Sequence, residues 1–124
     1  MARRPLPEFT VMVVGSADFD DRDKLFEVLD AVPLITTLIH GTTRTPKRWT
    51  ICGVDPLAET WAQLRGVYTQ VYGVNHNYCK LKRRRVRDER MLFEGKPDLV
   101  IAFPGAGDIV DKARAAGVEV RVIP

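Results

Sequence analysis

Asp98-Leu-Val-Ile-Ala-Phe103 followed by Pro104-Gly105-Ala106-Gly107-Asp108 decides how this chain is read. An unbroken apolar run, rich in strand-forming residues, ends in a glycine turn. The helical pattern Ile109 to Ala116 then begins, and Gly117 stops it. Glycines let a ligand approach the backbone, and the first amides of a helix point outward unpaired, so such a junction suits an anion. Two other strand ends carry similar chemistry, Val13-Val14-Gly15-Ser16 and Leu38-Ile39-His40-Gly41-Thr42. Three such corners in one short chain predict a crevice for a phosphorylated or nucleotide-like ligand.

Working outward, Phe9 to Gly15 reads as a buried strand, and Asp18 to Asp23 as an acidic cap region before a helix. Leu25, Phe26, Val28, Leu29 and Val32 recur at helical spacing, and Pro33 closes that helix. Thr36 to His40 is a second strand. After an irregular segment, Gly41 to Gly53, Asp55-Pro56 opens a helix with Leu57, Ala58, Trp61 and Leu64 on one face and Gly66 as its stop. Val67 to Val74 alternates as a third strand, and a polar loop to Cys79 leads into a basic helix that reaches Phe93. Val118 to Ile123 is the fifth strand. Strand–helix alternation with apolar strands predicts an α/β fold: a three-layer sandwich with a mainly parallel five-stranded sheet and helices on both faces. Ligands of such sheets bind beyond the carboxyl ends of the strands, where the strand order reverses.

The 124 residues suffice for one domain, 1–124, with a flexible N-terminus over residues 1–8. No apolar run approaches the ~20 residues needed to cross a bilayer, and no signal core follows Arg3-Arg4, so a cytoplasmic protein without membrane contact is expected. Cys52 and Cys79 form no CxxC pair and only two histidines are present, so no metal site is expected. The net charge is +3, too small to argue for nucleic acid by itself.

Several residues could carry chemistry. Gly15 could offer a backbone contact to an anion and Ser16 a hydroxyl; the plainer reading is a strand-ending turn. His40 at a strand end is more often structural, but Gly41, Thr42, Thr43 and Arg44 follow it and look like a ligand loop, with Arg44 able to neutralise charge. Trp49, beside Lys47 and Arg48, offers a surface on which a base could stack, or else it plugs the domain or an oligomer contact. Lys80 to Arg90 is the strongest charge feature. Helical spacing puts Arg83, Arg87 and Arg90 on one side. Such runs are often solvated faces or nucleic-acid patches; here some of these cations, Arg87 among them, are expected to point at the crevice as ligand contacts, and the rest at solvent or an acidic partner. In the last loop, Pro104, Gly105, Ala106, Gly107 and Asp108 form the best phosphate candidate. The Asp108 carboxylate would cap the helix but repel a phosphate, or accept from a ribose hydroxyl.

Taken in order, these motifs resemble the SLOG superfamily, the Rossmann-like nucleotide-binding group that includes the Smf/DprA and LOG proteins, and within it the YspA/YpsA-related branch. Val13-Val14-Gly15-Ser16-Ala17-Asp18-Phe19 is similar to that branch's V-x-G-S-R-D-F opening, with Ala17 in place of Arg. His40-Gly41 and Gly53-Val54-Asp55 are similar to the two ends of H-G-G-A-R-G-A-D, with Thr45 to Cys52 inserted. Arg87-Asp88 with Met91-Leu92 resembles R-N-x-x-M-L, and Phe103-Pro104-Gly105 resembles F-P-G-G. The resemblance implies a sensor or sequestering protein for a nucleotide-derived small molecule, of the kind used in bacterial and phage conflict systems. It implies no required cofactor beyond that nucleotide-type ligand, and a homo-oligomer.

The LOG signature P-G-G-x-G-T-x-x-E is altered here. Ala106 replaces the second Gly, Asp108 stands in the Thr position, and no Glu follows in place. The alternatives are a phosphoribohydrolase-like enzyme that cleaves a nucleotide N-glycosidic bond, using Asp108, Asp55 or His40, and single-stranded nucleic-acid binding through Trp49 and Lys80 to Arg90.

Overall fold

The structure, a computed structural model, describes residues 8–16, 18–41, 53–73 and 79–124. Its elements are β1 (Thr10–Val14), α1 (Arg22–Asp30), β2 (Thr37–Gly41), α2 (Val54–Arg65), β3 (Tyr68–Tyr72), α3 (Lys80–Gly95), β4 (Leu99–Ala102), α4 (Ile109–Ala115) and β5 (Glu119–Val122). The five strands form one sheet in the order β3-β2-β1-β4-β5, and every pairing is parallel. This is a Rossmann-like α/β sandwich.

Strand composition follows position in the sheet. All four residues of β4 and the last four of β1 are buried, as a strand covered on both faces requires. β3 and β5 lie at the edges and keep polar residues exposed. Alternation sends Val11, Val13, Leu38, Leu99 and Ile101 to one face. There they pack with Leu25 and Leu29 of α1 and with Val54, Leu57, Ala58, Trp61 and Ala62 of α2. Met12, Val14, Ile39, Val100 and Ala102 point to the other face, against Met91 and Leu92 of α3 and Ile109 and Ala113 of α4. Two layers of helix thus enclose one sheet, and the core lies on both sides of it.

The helix ends have identifiable chemistry. Asp21 caps α1 by accepting from the Lys24 amide at 3.1 Å. Gly66 ends α2 with φ +69°. α1 and α2 are joined where Asp30 accepts from Trp61 Nε1 at 2.9 Å and from both Nε and Nη2 of Arg65, also at 2.9 Å. α1 stops at Asp30, earlier than Pro33 alone predicts, and Val32 reaches the core from the turn beyond.

No helix among the described residues is long and apolar enough to cross a membrane.

Candidate functional site

The sheet order identifies where to look. From β1 the chain moves outward through β2 to β3, then returns to lay β4 on the other side of β1. The reversal leaves a crevice outside the carboxyl ends of β1 and β4. Gly15-Ser16 follows β1 and Phe103-Pro104-Gly105 follows β4, and the two loops touch. The Ser16 amide donates to the Pro104 carbonyl at 2.9 Å. A Cβ on Gly105, whose φ is +87°, would lie 2.6 Å from Ser16 Cβ. A Cβ on Gly15 would run into Val54, the first residue of α2. Glycine at both positions is required by close approach, which brings the start of α2 and the two loops together.

The third strand end is closed by an ion cluster. Arg87, 4% exposed, lays its guanidinium directly over Gly41, where any Cβ would collide with it. Its Nη1 is 3.6 Å from Asp55 Oδ2, and its Nη2 and Nε lie 3.0 and 3.2 Å from Asp88 Oδ1. Asp55 Oδ1 accepts from the Gly41 amide at 3.1 Å. Both carboxyls are buried, and burial raises them above the ordinary aspartate value. The Arg87 cation opposes that rise at each, as does the Gly41 amide at Asp55 and Arg84 at Asp88.

Arg84 connects this cluster to the crevice. It donates through Nη2 to the Gly15 carbonyl and, at 3.0 Å, to the Gly105 carbonyl, while its Nε sits 3.8 Å from Asp88 Oδ2. One side chain from α3 therefore holds the β1 and β4 loops together. Arg84, Arg85, Asp88 and Gly105 to Asp108 line a cavity of about 180 Å³. Arg85 Nε lies 3.8 Å from Asp108 Oδ2, and Lys112 Nζ lies 3.9 Å from the same oxygen. Asp108 occupies the N-cap position of α4 without a side-chain capping bond. The expectation that it caps the helix is corrected: its exposed carboxylate turns toward cations instead.

His40 is buried and structurally engaged. Its Nδ1 is 2.9 Å from the Gly41 carbonyl, and its Nε2 is 2.6 Å from Glu59 Oε2. Burial alone would raise the Glu59 carboxyl, but hydrogen bonds from His40 and Gln63 outweigh it and hold the group below its ordinary value.

Of the residues singled out from sequence, Gly15, Ser16, Pro104, Gly105, Ala106, Gly107 and Asp108 gather at the crevice. His40, Gly41, Asp55 and Arg87 sit at the end of β2, joined to it through Asp88 and Arg84. Thr42, Thr43, Arg44 and Trp49 lie outside the described residues. Arg83, Arg87 and Arg90 do not act as one face: Arg87 is buried, whereas Arg90 sits over the Tyr72 ring and pairs with Glu94 at 3.2 Å.

Arg84, Glu59 and the lining role of Asp88 were missed. A signal for two of them exists. Extending the inward stripe Met91, Leu92 and Gly95 back by one and two helical turns selects Asp88, Arg87 and Arg84. Glu59 has no such mark, because its partner lies on another element.

Among the described residues no group of three or more His, Cys, Asp or Glu could hold a metal ion. Compared with family models, curated proteins and solved structures, the chain finds no match.

Proposed function

We propose that this protein binds a small phosphorylated ligand of the nucleotide class in the crevice outside β1 and β4, and holds it without cleaving it. The observation that carries the reading is Arg84, which spans both loops at the reversal of strand order and, with Arg85, puts two guanidinium groups on a cavity whose other charged lining is Asp88, already paired with Arg87, and Asp108. Guanidinium is the side-chain group best matched to phosphate. A cavity of about 180 Å³ is smaller than the sites that bury a whole drug-sized ligand, and it suits a phosphate with part of its sugar. The resemblance to SLOG proteins points to the same ligand class.

Binding is favoured over cleavage because two of the three candidate catalytic groups are already engaged. Asp55 faces Arg87 and the Gly41 amide, His40 is spent on Glu59 and a carbonyl, and Asp108 lies near Arg85 and Lys112. Asp55 and His40 would each have to leave a hydrogen-bonded partner to serve as acid or base.

Isothermal titration with adenosine and guanosine mono-, di- and triphosphates, cyclic nucleotides and adenosine diphosphate ribose tests the reading. At least one is expected to bind, and Arg84→Gln to weaken it about tenfold or more, the worth of a charge-assisted hydrogen bond. No heat from any of them at about 50 µM, or binding indifferent to Arg84→Gln, overturns the assignment. Chromatography of the recovered nucleotide separates holding from hydrolysis, since release of free base would establish cleavage.

A further inference from the structure

The two edges of the sheet are built differently. β5 carries Glu119 and Arg121 at alternate positions. β3 reads Tyr-Thr-Gln-Val-Tyr, with no charge, proline or glycine. It pairs with β2 residue for residue, from Thr37 opposite Tyr68 to Gly41 opposite Tyr72, so no bulge bends it away. Edge strands are ordinarily blunted by charge, proline or a bulge, because their outer backbone groups recruit other strands. β5 has that protection, and among the described residues β3 lacks it. Tyr68 is 67% exposed and Val71 46% exposed along this edge.

We propose that β3 pairs antiparallel with β3 of a second copy, across a two-fold axis at Gln70, so that two five-stranded sheets become one. The strand is its own complement in that register. Tyr68 lies opposite Tyr72 of the second copy, Thr69 opposite Val71, and Gln70 opposite itself. Aromatic and β-branched pairs are the favourable ones across antiparallel strands, and no like charges meet. All five residues are paired on this axis, whereas any shift leaves at least one unpaired at each end. An isologous contact of this kind closes at two copies, and an antiparallel join onto an otherwise parallel sheet is common. Five paired residues bury less than the ~800 Å² per partner of a standard interface, so the association is weak and depends on concentration.

Sedimentation velocity of the full chain from about 1 to about 100 µM tests it, with a shift from monomer to dimer expected. Gln70 is exposed, so Gln70→Lys and Gln70→Glu leave the fold intact, which a circular dichroism melt checks. Each variant alone places like charges face to face on the axis and is expected to dissociate about tenfold more readily. An equimolar mixture of the two is expected to restore a heterodimer. A chain that stays monomeric at the top concentration overturns the proposal. So does a dimer unchanged by Gln70→Lys, a mixture that fails to recover, or growth beyond two copies.

Discussion

Replacing Arg87 by Met keeps most of the side-chain volume and removes the cation between Asp55 and Asp88. The guanidinium is 4% exposed and lies 3.0 to 3.6 Å from oxygens of both carboxyls. Removing one partner of a buried ion pair costs about 3–5 kcal/mol. An orphaned carboxylate can escape by binding a proton, and from its ordinary 3.8 that costs about 4 kcal/mol at pH 7, at about 1.4 kcal/mol per pH unit. At pH 4.5 the same escape costs about 1 kcal/mol.

The sign follows from linkage. Both carboxyls already titrate above their unfolded value because of burial, so they favour the folded state at low pH and lose that contribution as pH rises through the folded values. Without Arg87 they rise further, and the penalty of Arg87→Met grows from acid toward neutral pH. Urea unfolding at pH 7 and pH 4.5, with the slope checked for constancy, measures it. We expect a loss of about 3–4 kcal/mol at pH 7 that shrinks to about 1 kcal/mol at pH 4.5. The combined variant Asp55→Asn, Arg87→Met, Asp88→Asn should recover most of the neutral-pH loss. A penalty below about 1 kcal/mol at pH 7, or one that does not change with pH, would refute the view that charge holds this corner.

Gly105→Ala should lower stability by about 2–3 kcal/mol, from a positive φ and the contact with Ser16. Gly107→Ala, with φ +81° and open space around it, should cost only about 1 kcal/mol; thermal melts of the pair isolate the contact. Asp30 is held down to about 2 by hydrogen bonds from Arg65 and Trp61. Its stabilising effect is therefore present above 3.8 and lost as pH falls through about 2. Asp30→Asn should destabilise the protein at neutral pH and flatten acid unfolding in that window, as read by circular dichroism.

The architecture was legible where local pattern and burial coincide. The apolar run ending at Phe103 is a fully covered central strand, and the glycine turn after it meets the β1 loop. Gly66 and Asp21 stop and start their helices as residue type predicts. The end of α1 was less legible, because Pro33 marks only the outer limit of a helix, and here a turn carrying Val32 into the core intervenes. The site was legible as a set of strand ends and illegible as a network. Glycine at positions 15, 41 and 105 announces close approach without naming what approaches. At Gly15 it is Val54, at Gly41 the Arg87 guanidinium, and at Gly105 the Ser16 side chain. None of these partners is a sequence neighbour, so only tertiary packing supplies them.

The rotation of α3 about its own axis is what turns a run of cations into that network. Its first six residues include Lys80, Lys82, Arg83, Arg84 and Arg85, with no acid in the first turn. Cations at the positive end of a helix dipole are unfavourable by themselves. Packing of Met91 and Leu92 against the sheet fixes the rotation and leaves no freedom to turn the next residues of the stripe outward. The apolar half of the stripe lies over strand side chains, and the ionic half overhangs the strand ends, where backbone carbonyls emerge. Those carbonyls, at Gly15 and Gly105, together with Asp88 and Asp55, supply the negative partners that the first turn lacks. The same contacts set a condition on any ligand of the crevice. It must leave Arg84 in place or give the two carbonyls an equivalent donor, such as a ribose hydroxyl, while the guanidinium turns to the phosphate.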